Sequence, residues 1–409
     1  MEQTFRKTGL KDSYFSYLLL FNFYYMAWAL FSSIISIYLI GLGYSAGQAS
    51  LVVSSSYLVS MAVQPWIGKM ADQYGMKNVC SIAFILAAGL GIVFLFCRSL
   101  VLIAIFYSLV MTLVNGANPI IEKMATTSPY RYGKIRIWGT IGFAIGTQAA
   151  GFLYQHVSPS AIFIAFVVCL FLCIYGMTLT GNDHIRSEKP FFRRRSPRSE
   201  TELVPQKADH NRVSFRDLFY NHKFVFYLLI FALFNGVNEA MNTFLPSMLT
   251  YEGVEPSTAS GILSIAVLTQ IPMVYFADRF MDRMKSRSLS LIAFSIMLFQ
   301  MLVYGLPGIL DLKEIVIMLL KTQGSMLFIM VNLKIVHSLV SASSQITALA
   351  IAATVKNLAA IVFNSLAGNM IDIFGYSACF LTLAVVMIVA IILLLCFRLP
   401  AGTDQKLFS

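Results

Sequence analysis

Long apolar runs alternate with short polar segments along nearly the whole chain, and this alternation predicts membrane-spanning helices. Twelve runs come close to or exceed the roughly 20 residues that a helix needs to cross a bilayer. They lie at 14–40, 47–67, 79–97, 99–121, 136–156, 160–180, 224–250, 257–276, 288–306, 313–336, 344–369 and 376–397. The pattern predicts an all-α membrane protein with twelve transmembrane helices in two six-helix bundles.

One long polar segment separates the first six runs from the last six. Its basic residues outnumber its acidic ones and prolines interrupt it, so most of it cannot form a buried core. A basic linker of this kind is typical of the cytoplasmic side, beside anionic lipid. We therefore predict an amino-terminal bundle at 1–181, a linker at 182–223 and a carboxyl-terminal bundle at 224–409.

Composition agrees with a membrane protein, since 58% of the residues are hydrophobic, 12% are charged and the mean hydropathy is +0.74. A net charge of +11 would suit a nucleic-acid-binding protein, but the basic residues are confined to the gaps between apolar runs. The cysteines lie in or beside apolar runs without metal-ligand spacing. We expect a monomer surrounded by the lipid bilayer, without nucleic acid, cofactor or metal.

The distribution of positive charge predicts the side that each loop faces. With both termini inside, the internal loops hold most of the lysines and arginines. The external connections of the first half are 41–46, 97–99 and 157–159, and Arg98 is their only lysine or arginine. Because cytoplasmic loops carry the excess of positive charge, we predict a multi-pass protein of the cell membrane with both termini in the cytoplasm.

The first span is aromatic at its centre, where Tyr24 and Trp28 lie close to Asn22. Rings at helical spacing usually pack in a core or against lipid. Rings accompanied by amide and hydroxyl groups can also line a cavity for a polar, ring-shaped ligand. Tyr24 and Trp28 are therefore candidates for ligand contact, and the packing alternative stays open.

A short motif joins the second and third spans. It comprises Gly68, Asp72, Gly75 and Lys77. Glycines permit a sharp turn, and a carboxylate there can meet a helix amino terminus or a cation. A degenerate copy without glycines follows the eighth span at Asp278 and Arg279. The motif resembles a gating loop of the major facilitator superfamily, and its repetition implies two pseudo-symmetric bundles that rock about a central site.

The fifth span opens with Arg136 and carries Phe143 two turns later on the same helix face. This segment resembles the lactose permease group, in which the arginine binds sugar hydroxyls and an aromatic residue, Trp there, stacks on the sugar ring. A guanidinium offers a suitable fork of donors. The acid paired with that arginine corresponds to Asn118 here, and Glu122, one turn later, is a possible substitute. Alternatively, Arg136 only anchors the end of the span.

Three ionisable residues of the second half lie far from any loop: Glu239, Lys321 and Lys356. Such residues normally face a water-filled cavity or a partner. The resemblance aligns Glu239 with the acid that pairs with the lysine at Lys356, a pair whose role in the family is mostly structural. It also places Lys321 near Asn242, which stands where the family has a second acid.

The resemblance fails at the proton-carrying residues of the lactose permease. Their places are taken by Gly324 and Leu327, and the eighth-span acid corresponds to Leu268 or Gln270. Gln270 remains a candidate for substrate contact. Proton coupling through Glu122 or Glu239 and transport without a proton both remain open.

These features favour a secondary transporter for sugar or oligosaccharide uptake, with protons as an optional co-substrate. Nucleosides or aromatic, drug-like compounds are alternative substrates, and an uncoupled facilitator is an alternative mechanism. A polytopic sensor would need an output domain or a long external loop. An enzyme is disfavoured because the spans contain no nucleophile, metal or paired-carboxylate constellation.

The topology can be tested with reporters fused after Arg195 and after Glu255. We expect the first to be active only as a cytoplasmic reporter and the second only as an external one, because positive charge marks the cytoplasmic loops. Paired fluorescent-protein and alkaline-phosphatase fusions would measure this. The opposite side at either position would overturn the helix count.

Overall fold

The computed structural model describes residues 13–180, 221–276, 283–340 and 345–397, and all regular secondary structure in these ranges is α-helical. The first half contains α1 Tyr14–Ser32, α2 Ile35–Gly41, α3 Ala46–Tyr74, α4 Met76–Phe94, α5 Leu100–Thr126, α6 Tyr132–His156 and α7 Pro159–Leu179. The second half contains α8 His222–Tyr251, α9 Pro256–Leu268, α10 Gln270–Tyr275, α11 Ser286–Gly305, α12 Leu310–Leu320, α13 Gln323–Leu339 and α14 Gln345–Cys396.

Nine segments in the described ranges are long and apolar enough to cross a membrane. One of them, Thr347–Cys396, is interrupted at Gly375, whose φ of 81° is not helical, so it accounts for the last two predicted spans. The fifth and eighth predicted spans correspond to α6 and to α9 followed by α10. All twelve predicted apolar runs are therefore largely helical. The predicted linker boundaries fall mostly on residues outside the described ranges, so the domain division stays a prediction.

Two of the interrupted spans, the eighth and the tenth, are broken at neighbouring points. The eighth span breaks at Thr269, whose hydroxyl donates to the carbonyls of Ala266 and Met318 at 2.8 and 3.1 Å. In the tenth span, the Thr322 hydroxyl donates to the same Ala266 carbonyl at 2.7 Å. Hydroxyls that bond to backbone carbonyls compete with the helical ladder, which explains the breaks. The sequence pattern did not reveal them, because it records apolar length rather than hydrogen bonding.

Each half of the chain packs around its own aromatic core. In the first half, Phe31 lies 4.8 Å from Phe166, measured between ring centroids. In the second half, Phe234 lies 4.4 Å from Phe328. The buried core of the first half draws on residues 17–177, and that of the second on residues 224–397 together with Ala46. The molecule therefore consists of two bundles with separate cores, which meet along α3, α6, α9 and α14.

On the side predicted to be external, α14 closes against the amino terminus of α3. The Asp372 carboxylate accepts hydrogen bonds from the Ser45 hydroxyl at 2.7 Å and from the Ala46 and Gly47 amides at 2.8 Å. An anion is favourable at this end of a helix, where backbone amides lack helical partners. Gly368 permits the close approach, since a Cβ there would lie 2.7 Å from the Ala46 carbonyl oxygen.

A second contact closes the same side between α6 and α9. The Gln155 side chain accepts from the Ser257 amide at 2.9 Å and donates to Glu255 at 2.8 Å. Deeper in the interface, the Ser264 hydroxyl donates to the Ala144 carbonyl at 2.7 Å. A Cβ at Gly151 would collide with Ser260, so the two helices touch at glycine. An amide therefore caps α9 in the way that a carboxylate caps α3.

The Asp372 contact should hold the external side closed. The reporter is a Ser54→Cys substitution in a cysteine-free chain, and Ser54 is buried beside Ser365 at this interface. Adding Asp372→Ala should increase labelling of this cysteine by an impermeant thiol reagent added outside. Charge-assisted hydrogen bonds contribute about 1.5–3 kcal/mol each, so we expect an increase of at least about tenfold.

Asp311→Ala provides a matched control for the Asp372 experiment. Asp311 is an acid in the first turn of α12, and within the described residues it makes no hydrogen bond or ion pair with the amino-terminal bundle. Labelling in this variant should equal that of the reporter alone. Equal labelling in Asp372→Ala and Asp311→Ala would show that the carboxylate cap does not stabilise the closed side.

Candidate substrate site

An ion pair between α5 and α6 forms the centre of the site in the amino-terminal bundle. Arg136 Nε lies 3.1 Å from Glu122 Oε1, and the two side chains are 33% and 24% exposed. Tyr25 donates to Glu122 Oε1 at 2.6 Å and Tyr132 donates to Oε2 at 2.8 Å. Both charged groups are therefore partly exposed and lie outside the closed core of the bundle.

The local sequence explains how these side chains converge. Asn118 and Glu122 are one turn apart on α5, as are Tyr132 and Arg136 on α6. Asn118 donates to the Tyr25 hydroxyl at 3.1 Å, and the Arg136 guanidinium lies 4.5 Å from the centre of the Tyr25 ring, a cation–π distance. Gly139 lets α1 approach, since a Cβ there would lie 2.6 Å from the Tyr25 ring.

Aromatic rings continue from the ion pair along the same wall. Trp28 stacks on Tyr25 at 5.8 Å between centroids and meets Phe143 edge to face at 6.4 Å. Both Trp28 and Phe143 are partly exposed. Tyr24, by contrast, is fully buried and donates to the Val114 carbonyl at 2.8 Å, so it belongs to the core of the bundle. Tyr25, itself only 5% exposed, is the neighbouring tyrosine that contacts the Arg136–Glu122 pair.

Sequence reasoning did not single out Tyr25 or Tyr132, although a signal for Tyr25 exists. Asn22 and Tyr25, three residues apart, share one side of α1, whereas Tyr24 and Phe31, seven residues apart, share another. The polar face is the one turned to the site. Tyr132 precedes the predicted fifth span, which begins at residue 136, so helical periodicity gave no signal for it.

A second ion pair lies in the carboxyl-terminal bundle. Lys356 Nζ is 2.9 Å from Glu239 Oε1, and the two side chains are 40% and 11% exposed. The other carboxylate oxygen accepts a hydrogen bond from Tyr57 of α3 at 2.8 Å. Glu239 thus receives one partner from its own bundle and one from the opposite bundle. Tyr57 was missed because nothing in one sequence marks a contact across two bundles.

Lys321 lies at the break between α12 and α13, where its Nζ donates to Asn242 Oδ1 at 2.9 Å. Gln270 is partly exposed at the start of α10. Gly324 instead packs against α11, where a Cβ would lie 3.0 Å from the Ala293 carbonyl oxygen, and Leu327 is buried. The structure therefore brings Lys321 and Asn242 together, beside helix breaks like those at which transporters bind their substrates.

The loop motif contacts residues other than the members of the two ion pairs. Gly75, at φ 90°, joins α3 to α4, and Gly68 has open space around it. Asp72 lies 3.5 Å from Lys123, with both side chains largely exposed, and Lys77 donates to the Thr180 carbonyl at 2.7 Å. Asp72 therefore meets a cation of its own bundle. The second copy, with Asp278 and Arg279, falls outside the described residues.

The arrangement can bind a polar ring but offers little for covalent chemistry. In the part of the chain that the structure describes, no three His, Cys, Asp or Glu side chains cluster as a metal site requires. The two ion pairs offer partly exposed hydrogen-bond donors and acceptors, and the Trp28 and Phe143 rings offer flat apolar surface beside the first pair. Such a combination fits a ligand with hydroxyl groups on a compact ring.

The Glu239–Lys356 pair can be tested by neutral replacement of each member and of both. Either Glu239→Gln or Lys356→Met should lower expression or transport, because it leaves the other charge unpaired within the membrane. Since Lys356 is 40% exposed, the loss should fall below the ~3–5 kcal/mol of a fully buried pair. The double variant should recover much of it, measured as folded yield and uptake. A double variant as poor as the worse single one would show that the two do not act as a pair.

Comparisons with known proteins agree with this geometry. Among curated relatives, the uncharacterized transporter YwbF of Bacillus subtilis (strain 168) is 25% identical over 265 residues, which cover 64% of this chain and 62% of that protein. The maltose permease of Geobacillus stearothermophilus is 30% identical over 158 residues, which cover 36% and 40% of the two chains. The sucrose permease of Escherichia coli is 27% identical over 191 residues, which cover 42% and 45%. Each match thus spans less than two thirds of the relative.

Solved structures show the same fold over nearly the whole chain. The nucleoside transporter NupG superposes with a TM-score of 0.76 at 15% identity, covering 95% of this chain and 99% of that one. The D-xylose-proton symporter superposes with a TM-score of 0.67 at 13% identity, covering 96% and 98%. The predicted all-α, two-bundle architecture is confirmed by these likenesses. The model of the Major Facilitator Superfamily matches residues 17–333, and the chain belongs to that family.

Proposed function

We propose that this protein is a secondary transporter that moves a sugar across the cell membrane by alternating access of the site between its two bundles. The observation that carries the proposal is the partly exposed Arg136–Glu122 pair beneath the stacked rings of Tyr25 and Trp28. The family membership supports transport rather than an enzymatic reaction.

The chemistry of the site suits vicinal hydroxyl groups. A guanidinium has five N–H donors in a planar fork, of which the Glu122 contact uses the one on Nε. The carboxylate of Glu122 accepts from two tyrosines and from Arg136, which leaves one lone pair, on Oε2, for a sugar hydroxyl. Trp28 and Phe143 can cover the apolar face of a sugar ring. The same wall could accept a nucleobase, so nucleosides belong in the first substrate screen.

The relatives support a sugar before a nucleoside. The maltose and sucrose permeases share 30% and 27% identity with their matched regions of this chain. NupG shares 15% and supports the fold alone. We place the transporter in the cell membrane as a monomer with both termini in the cytoplasm, and we propose that it imports its substrate.

Proton coupling remains a separate part of the proposal. The two acids available for it, Glu122 and Glu239, each pair with a basic residue and accept from tyrosine. Either acid could release its partner and take a proton when substrate binds, or transport could proceed by equilibration. Proteoliposomes with an alkaline interior distinguish these cases, because only a symporter accumulates sugar above the external concentration.

The Arg136 fork should be required for recognition. Arg136→Lys keeps the charge but removes the planar donors, so we expect sugar binding and uptake to be lost while the protein remains folded. Phe143→Trp should retain binding, and Phe143→Ala should weaken it by about 1–3 kcal/mol through loss of ring contact. A broad sugar and nucleoside uptake screen in a transport-deficient bacterium, followed by binding to the purified protein, would measure both effects.

Arg98→Lys is the matched control, because Arg98 lies in an external connection and should leave affinity unchanged. Wild-type affinity in Arg136→Lys would reduce that arginine to an anchor at the end of its span. Uptake of a nucleoside but of no sugar would replace the proposed substrate class.

A further inference from the structure

The charges of the candidate site do not balance. Its charged residues are two acids and three bases: Glu122, Glu239, Arg136, Lys321 and Lys356. Each acid is held by one base, at 3.1 Å for Glu122–Arg136 and 2.9 Å for Glu239–Lys356. Lys321 donates instead to the neutral amide of Asn242. Glu239, already paired with Lys356, also attracts Lys321 electrostatically, but no carboxylate in the described ranges lies within ion-pairing distance of it.

Other acids do not supply the missing charge. Those of the described ranges lie in loops or near helix ends, and three of them have partners of their own: Lys123 for Asp72, Lys313 for Glu252 and the α3 terminus for Asp372. By sequence, the acids outside the described ranges all fall outside the predicted spans. An unpaired cation within a span is costly and normally faces water or a ligand.

The Lys321–Asn242 contact is open to such a ligand. Asn242 is exposed, whereas every other residue from Phe234 to Leu249 is buried, so α8 has a single opening at this point. Lys321 is partly exposed beside it and lies at the break of the tenth span. An ammonium has three N–H donors, and the bond to Asn242 uses one.

A free acceptor lies one turn away on the same face of α8. Asn238 is 8% exposed, and its Oδ1 has no hydrogen-bond partner in the described part of the chain. A buried acceptor without a partner is unfavourable, and a ligand hydroxyl beside Lys321 would satisfy it. The opening therefore combines a cation with an acceptor, a set that suits an anion flanked by a hydroxyl group.

We infer that the transported sugar carries one negative charge and that Lys321, presented by Asn242, binds it. This inference rests on the proposed function and specifies the substrate of that site. Arg136 and the rings bind the neutral part of the sugar, and the anion compensates the excess positive charge between the bundles. Recognition by a charge-assisted hydrogen bond makes the preference strong.

A carboxylate fits this position better than a phosphate. One lysine supplies one positive charge, which matches a monoanion such as the carboxylate of a uronic acid. A phosphoryl group approaches two negative charges near neutral pH and is typically held by several basic groups or by a bidentate arginine. We therefore assign the substrate class as a sugar with a carboxylate, as in a glycosyluronide.

The test compares matched pairs of ligands on the purified full-length protein. Phenyl β-D-glucuronide and phenyl β-D-glucoside differ only at C6, as do the corresponding galacturonide and galactoside; glucose 6-phosphate represents a phosphate. Wild-type protein should bind one uronide at least about tenfold more tightly than its neutral partner, by calorimetry and by counterflow in proteoliposomes.

Asn242→Asp is the decisive variant, because it gives Lys321 an ion-pair partner without removing the lysine. It should weaken uronide binding by about 10- to 100-fold and weaken binding of the neutral glycoside much less, so that the preference for the uronide is lost. Lys321→Gln should lose the same preference and serves if the aspartate variant fails to fold. Asn78→Asp, at an exposed position on α4, controls for the added charge and should change neither ligand.

The outcomes separate the two proposals. Equal affinity of the wild type for uronide and neutral glycoside, or an unchanged preference in Asn242→Asp, would overturn the anionic substrate and leave sugar transport standing. A preference for glucose 6-phosphate over every uronide would overturn the carboxylate assignment. Binding of no sugar in either form would overturn the proposed function and this inference with it.

Discussion

Charged side chains within the bilayer need water or an opposite charge, since hydrocarbon provides neither, and this constraint organises the space between the two bundles. It explains why Glu122 meets Arg136 and Glu239 meets Lys356, and why tyrosine hydroxyls complete both carboxylates. Both pairs keep some exposure, so they can exchange part of their hydration for ligand contacts. A fully buried ion pair would contribute little to the stability of the fold and would have no exposed atoms for a ligand to contact.

The two pairs differ in what holds them. In the described residues, the partners of Glu122 are Arg136, Tyr25 and Tyr132, which all belong to the amino-terminal bundle, so this half of the site moves as one body. Glu239 takes Lys356 from its own bundle but Tyr57 from the other. A separation of the bundles on the external side must break the Tyr57 bond. The carboxyl-terminal half of the site therefore changes its hydrogen bonding with the conformation of the protein, whereas the amino-terminal half is preformed.

The sequence predicted the helical segments well because apolar length is a direct requirement of the bilayer. It could not predict the breaks at Thr269 and Thr322, which depend on hydroxyl bonds between two helices distant in sequence. The Arg136–Glu122 contact was anticipated as a substitute for the acid missing at Asn118, since one turn of helix separates the two positions. Tyr24 was favoured over its neighbour, although the helical period turns Tyr25 towards the pair. Roles in binding stay predictions for all of these residues.

The closed side of the molecule, which is predicted to be external, limits how the site can work. Asp372 and Gln155 cap the amino termini of α3 and α9, which begin the second and eighth spans of the two halves. These positions correspond under a pseudo-twofold relation, but one cap is a charged carboxylate with three hydrogen bonds and the other is an amide. Opening must break both caps together with the Tyr57 contact. Because the charged cap contributes more than the neutral one, the α3–α14 interface dominates the closed state.

A ligand can favour opening only by contacts that are stronger in the open form. The Glu239 carboxylate, which loses a donor as the bundles part, is where substrate or a proton would have such a differential effect.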